Sequence, residues 1–170
     1  RVLRYGLTRD QVVGLKVIDG RGELIECNNG LVKNASGYDL RHLFIGSEGT
    51  LGLIVEATMR LTDPPQPSRV MLLAVSSLDG MMTVFKQFND ALKLMAFEFL
   101  SAAAMSYVRS GHDLPTPMDT ETPYYALLEF DCPDTAYEDQ ALQCFEYCLE
   151  DGSVLDGVIS QSESQAARLW

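Results

Sequence analysis

The 170-residue sequence has one tryptophan, two histidines, four cysteines and no excess of positive charge. Its 13 Lys and Arg stand against 24 Asp and Glu, a net charge of −11, and the basic residues are scattered. A polyanion such as DNA would be repelled by that surface, so nucleic acid is rejected as a partner. No run approaches the roughly 18 consecutive apolar residues that a membrane-spanning helix needs. No secretory leader is visible at Arg1. A cytoplasmic setting is expected, with peripheral attachment to a membrane left open. Cys27, Cys132, Cys144 and Cys148 form no C-x-x-C pair. Cys144 and Cys148 would share a helix face, but no histidine lies near them, so no metal ligand is assigned. Free, buried or half-buried thiols in a reducing compartment are the expectation.

What is present reads as a globular chain, 46% apolar and 22% charged. It opens without a methionine, inside patterned sequence, and closes on the helix-like "SQAARLW". A fragment of a longer chain is therefore expected. The first third is β-rich. In "VVGLKVIDGRGELIEC" two apolar runs flank Asp19–Gly22, whose glycines suit a hairpin turn. Asn28–Leu40 is loop. Leu43–Ile45 resumes an apolar run that reads as a strand entering the next loop. Leu53–Leu61 alternates as a half-buried strand.

"TDPPQPS" then interrupts the pattern, with three prolines in four residues. Such a stretch fits neither helix nor central strand and stiffens into a spacer. Residues 1–62, a linker at 63–68 and a domain at 69–170 are expected. After the linker, Arg69–Ser76 is a strand and Asp79 a helix N-cap. Met81, Phe85, Phe88, Leu92 and Met95 mark one helical face. Met81, Met82 and Met95 read as core filling. Phe97–Leu100 is a short strand, and "SAAAMSYVRSG" a short helix stopped by Gly111. His112–Pro123 is a proline-broken loop, and Tyr124–Phe130 a strand. Asp134 caps a helix with Ala141, Leu142, Phe145, Cys148 and Leu149 inward, and Gly152 ends it. Val154–Ile159 is the last strand. The order β-α-β, β-α-β is the split βαβ plan of a ferredoxin-like sandwich, so the fold class is α+β.

The stretch "LFIGSEGTLGLIVEATMRL", Leu43–Leu61, is the one candidate site. A Walker loop would need Lys and Ser/Thr after its last glycine, where Leu53 and Ile54 stand. A Rossmann turn would need different glycine spacing and a following helix, whereas a strand follows. What survives is uncovered main chain. Glycine removes the Cβ that would hold a planar ring or a phosphate away, and Ser47 and Thr50 add hydroxyls. A flat ring system could rest on Ile54 while main-chain groups bond its edge. A tight strand connection without a ligand explains the spacing equally well.

"KNASGYDLRHLFIGSEGTLGLIVEATMRL" resembles the signature of the FAD-linked oxidase family related to vanillyl-alcohol oxidase. The branch it resembles is that of the D-2-hydroxy-acid dehydrogenases: D-2-hydroxyglutarate dehydrogenase, D-lactate dehydrogenase and the flavin subunit of glycolate oxidase. "RYGLTRDQVVGLKVIDGRGEL", "FEFLSAAAMSYV", "PYYALLEF" and "SQSESQAARLW" resemble the same branch, so the likeness covers essentially the whole chain. It implies that residues 1–62 are the β-rich C-terminal part of an FAD-binding domain and 69–170 part of a ferredoxin-like βαββαβ cap. It implies FAD contacts along Glu48, Gly49, Thr50, Leu51, Gly52, Leu53 and Ile54, mainly through backbone atoms. The implied reaction passes hydride from the Cα of a small 2-hydroxy acid to the flavin, with a further electron acceptor, and a homodimer is left open. The family's pyrophosphate loop and its catalytic and metal residues fall outside these 170 residues, so no catalytic residue is assigned here. The competing reading is a non-catalytic ferredoxin-like interaction module. A sister oxidase acting on a lipid ether precursor or an aromatic alcohol shares the glycine loop.

Other polar residues read as structural. Lys33 is a solvated loop lysine, His42 a surface or hydrogen-bonded histidine, and His112 a loop residue. Glu48 is expected to tie down loop amides. Arg4, Tyr5 and Asp10 form a corner in which Arg4 and Asp10 pair.

Overall fold

The computed structural model describes residues 2–28, 31, 33–112 and 118–170. The chain divides into two compact units, one of Tyr5–Pro64 and one of Pro65–Trp170 with Arg1–Arg4. Part of the asparagine-rich loop (29, 30 and 32) and part of the proline-broken loop (113–117) lie outside the described residues.

A helical turn α1 (Val2–Tyr5) lies mostly in the other unit; in the Tyr5–Pro64 unit a turn α2 (Thr8–Gln11) precedes strands β1 (Val12–Ile18) and β2 (Leu24–Cys27). A further helical turn, α3 (Arg41–Phe44), and strand β3 (Leu53–Met59) complete this unit. The strands form an antiparallel sheet in the order β2-β1-β3. The β1–β2 hairpin turns at Asp19, whose Oδ1 accepts from the N–H groups of Arg21 (2.8 Å) and Glu23 (2.9 Å). That is an Asx turn, the reason aspartate suits this corner. Val12, Leu15 and Val17 on β1 bury against Cys27 and Phe44 to make a small core.

β3 departs from the half-buried strand expected at 53–61: all seven of its residues are exposed. Alternation reports what a strand could bury. β3 lies at the sheet edge, bonded only to β1, and the described residues cover neither of its faces.

In the second unit, β4 (Ser68–Val75), α4 (Leu78–Ala91) and β5 (Leu94–Ser101) are followed by α5 (Ala102–His112). Then come β6 (Tyr124–Asp131), α6 (Thr135–Glu150), β7 (Val154–Ile159) and α7 (Glu163–Leu169). The sheet is fully antiparallel in the order β5-β6-β4-β7, the ferredoxin-like arrangement expected from the sequence. α4 and α6 cover one face, where Met71, Leu73, Phe88, Leu128, Phe130 and Val154 are almost wholly buried. Val70, Leu72, Ala74 and Leu127 bury on the other face, with Met105 of α5 and Ala166 and Leu169 of α7 packed there. The helix between β5 and β6 thus supplies Met105 to this second core.

Several local expectations are corrected. The cap of α4 is Ser77, whose Oγ accepts from Gly80 N–H at 3.0 Å, rather than Asp79. α4 stops at Ala91, so Leu92 and Met95 are buried beyond the helix instead of on its face. β5 starts at Leu94, three residues before the strand expected at Phe97. Met82 is exposed, not core. Ala141, Cys144 and Cys148 form the inward stripe of α6, while Leu142 and Leu149 are exposed. His112 ends α5 instead of lying in a loop. Arg4 pairs with Asp131, a buried carboxylate on β6, and Asp10 instead accepts from Leu7 N–H at 2.8 Å. Among the described residues no helix is long and apolar enough to cross a membrane.

The ring of Phe88 is fully buried between the sheet and α6. Phe88→Ala is expected to lower the chain's stability by about 3–5 kcal/mol in a urea titration. A loss below about 1 kcal/mol would show that this core is not formed as described.

Candidate functional site

The glycine-rich stretch is built from its N-terminal side. Leu43 and Phe44 lie in α3, not in the expected strand, because Asp39 starts a helical turn there. The Asp39 carbonyl accepts from His42 N–H (3.3 Å), and its Oδ1 accepts from Arg41 N–H (3.2 Å). Leu43 N–H donates to Leu40 and Ile45 N–H to Arg41, and Phe44 is driven into the β1 core. Ser47 N–H then donates to the Phe44 carbonyl at 3.1 Å, so the helical turn leads directly into the glycines.

Thr50 N–H donates to the Ser47 carbonyl at 3.0 Å, closing a four-residue turn. Its two central residues, Glu48 (φ 52°) and Gly49 (φ 79°), both have positive φ, as a type I′ turn requires. Gly49 accepts this geometry freely, and a Cβ there would meet nothing within 4 Å. Glu48 is a non-glycine residue in the left-handed region, a conformation costing on the order of 1–2 kcal/mol. Its side chain has no hydrogen-bond partner among the described residues, contrary to the expectation that it ties down loop amides. The Thr50 hydroxyl is turned inward onto the Ser47 carbonyl at 2.6 Å. Among the described residues, the N–H groups of Glu48, Gly49 and Leu51 meet no acceptor.

Gly52 is small for a different reason. A Cβ there would lie 2.7 Å from Val17 Cγ1 and 2.8 Å from the Ile18 carbonyl. This close approach lets Leu53 and Ile54 pair with Ile18 and Val17. Leu53 (66%) and Ile54 (43%) keep their side chains exposed. The seven candidates from Glu48 to Ile54 therefore form one continuous feature: open amides, bare glycine and two apolar side chains, on a turn tied to β1.

The other polar candidates do not join it. Lys33 is exposed in the preceding loop, and His112 belongs to the other unit. His42 Nε2 lies 3.5 Å from Asp39 Oδ2. The four thiols are free and buried. Burial raises the thiol pKa of each, that of Cys148 to about 12, so they remain protonated and poorly nucleophilic near neutrality.

Sequence reasoning passed over the pair behind the turn. Arg41 Nε and Nη2 donate to Asp39 Oδ1 and Oδ2 at 2.9 and 2.5 Å, while Nη1 donates to the Val12 carbonyl at 2.8 Å. The pair also lines a cleft of about 620 Å³ with Cys27, Asn28, Asn34 and Tyr38. The signal available was "YDLRHLF": an acid and an arginine bracketing one leucine at the head of a helical turn. Sequence reasoning also passed over Glu129 and Asp131, two acids buried on β6, where Ser68 Oγ donates to Glu129 at 3.0 Å.

Hydrogen bonds from Arg41 hold the Asp39 carboxyl at a pKa of about 2, down from 3.8. A carboxylate with a depressed folded pKa stabilises above its unfolded pKa and loses that contribution as pH falls through the folded value. The stability gap between wild type and Asp39→Asn is therefore expected to be flat above about pH 5 and to shrink between about pH 4 and pH 2. Urea midpoints across that range measure it, and a gap unchanged down to pH 2 would contradict the pairing.

A family model described as FAD linked oxidases, C-terminal domain, matches residues 64–170. A D-2-hydroxyglutarate dehydrogenase of Xanthomonas citri pv. viticola is 58% identical over 170 residues, all of this chain and 36% of that protein. One from Stutzerimonas stutzeri is 51% identical over the same length, 37% of its own. The mitochondrial D-2-hydroxyglutarate dehydrogenase of Bos taurus is 38% identical across the whole chain and 32% of its own length. The chain thus spans about a third of these relatives. A solved structure of alkyldihydroxyacetonephosphate synthase superposes with a TM-score of 0.64 over 98% of this chain and 34% of its own. At 17% identity that likeness shows the fold alone.

Proposed function

The chain belongs to the FAD-linked oxidase family, and from that premise we propose that the full-length protein is an FAD-dependent dehydrogenase of D-2-hydroxyglutarate. The observation that carries this reading is the 58% identity to a D-2-hydroxyglutarate dehydrogenase along all 170 residues. D-lactate and glycolate are the neighbouring substrates of the same chemistry. An electron acceptor is the second partner the reaction requires.

The turn has the donor set for an electron-rich ring edge or a phosphate. The N–H groups of Glu48, Gly49 and Leu51 are exposed and meet no acceptor among the described residues, so they are free to bond such a group. Gly49 leaves room for close approach, and Leu53 and Ile54 offer exposed apolar side chains to a flat ring. In this reading Thr50 shapes the turn through Ser47, and Gly52 seats it on β1. When bound, FAD supplies the two-electron acceptor for a hydroxy acid. The chain's own part is to hold the flavin in register through main-chain donors that need no reorganisation.

The test uses the full-length protein. It is expected to purify yellow or to take up FAD, and D-2-hydroxyglutarate is expected to bleach its visible band without oxygen. Bleaching by D-lactate or glycolate alone would reassign the substrate, and failure to hold flavin would refute the proposal. Gly49→Val strains the positive φ by roughly 1–2 kcal/mol, and Gly52→Val collides with β1. Each is expected to abolish flavin retention. Normal yellow, active protein from both would remove the role given to the turn.

A further inference from the structure

We propose that Asp39 and Arg41 are positioning residues that set the glycine turn at the height on β1 where flavin binding requires it. The inference rests on the reading of residues 48–54 as a flavin seat.

The turn has little to hold it by itself. Glu48, Gly49 and Thr50 are exposed, and within the Ser47–Thr50 turn the hydrogen bonds are the two from Thr50 to the Ser47 carbonyl. Its position must come from its two ends. The C-terminal end is fixed by Gly52, whose missing Cβ lets Leu53 pair with Ile18 at the last residue of β1. The N-terminal end is α3, which spans four residues. A helix of one turn has no stability of its own, because nucleation costs more than a single turn's hydrogen bonds return. α3 therefore has to be held from outside.

Apolar and polar contacts do so. Phe44 enters the core formed by Val12, Leu15, Val17 and Cys27, and Ile45 packs against it. Those contacts are apolar and non-directional. The Arg41 bond to the Val12 carbonyl supplies the direction, at the first residue of β1. Asp39 makes that bond dependable. By taking Nε and Nη2 it leaves Nη1 aimed at Val12. A planar fork held on two of its edges has one orientation. The Arg41 side chain is only 17% exposed, so water competes poorly for it. Both ends of the glycine segment are thus referenced to one strand, at Val12 and at Ile18. With Arg41 released, the N–H groups of Glu48, Gly49 and Leu51 would wander beyond the ~0.5 Å that a binding constellation tolerates.

The experiment compares full-length wild type with Arg41→Met, Asp39→Asn and Arg41→Lys. It reads the FAD dissociation constant of the stripped protein, the visible circular dichroism of bound flavin, and amide exchange at residues 47–51. Arg41→Met and Asp39→Asn are expected to weaken FAD at least tenfold, change the flavin dichroism and speed exchange in the turn. The melting temperature of the stripped protein should move by only a few degrees. Arg41→Lys, which keeps the charge but loses the fork, should stay well weaker than wild type. Unchanged affinity and dichroism in Met and Asn, or a Lys variant as tight as wild type, would overturn the proposal. General unfolding of all three would assign the pair to stability alone and overturn it too. Wild type that binds no flavin would sink the seat itself, while turn exchange unchanged in the variants would sink the positioning role separately.

Discussion

The β-rich unit depends on one close approach: Gly52 lies so near β1 that no side-chain carbon fits between them. Without that approach the β1–β3 ladder would open at the end from which the turn hangs. With it, a segment of exposed backbone becomes a fixed object. The flexible residue and the stiff strand are two parts of one device. The glycine removes bulk, and the strand removes freedom that the glycine would otherwise keep. Gly49 differs from Gly52 in kind. It meets no neighbour and is needed for its backbone angle, whereas Gly52 is needed for its lack of volume.

The ferredoxin-like half was the more legible in sequence. Its strands are apolar runs between clear breaks, and its helices carry a strong stripe, so element order led directly to topology. The errors there are errors of register. Ser77 caps α4 in place of Asp79 because a cap is chosen by which side chain reaches the N–H two or three residues on. Leu92 and Met95 continue a helical spacing past the helix end, because the sheet buries them just as well. The shelter that α5 and α7 give the second sheet face was not legible, because neither helix buries a residue fully and their packing is tertiary.

The β-rich half misled in an instructive way. Leu43–Ile45 looks like a strand because three apolar residues in a row suit one. Asp39 and Arg41 convert it into a helical turn through bonds that no periodicity encodes. In the other unit, proximity in sequence suggests Asp10 for Arg4, whose partner is Asp131, 127 residues away. In the candidate site, the seven residues from Glu48 to Ile54 could be singled out because glycine spacing and a following strand are local signals. The positive φ of Glu48 and the inward turn of the Thr50 hydroxyl could not, because they follow from how the turn closes.

The central claim is that main chain between Glu48 and Ile54 seats a flat redox cofactor. A crystal structure of the full-length protein with FAD tests it most directly. The account predicts flavin atoms within hydrogen-bonding distance of N–H groups among residues 48–51, with an apolar contact to Leu53 or Ile54. Flavin bound away from this turn, or side chains from elsewhere in the protein filling the space beside Gly49, would contradict it.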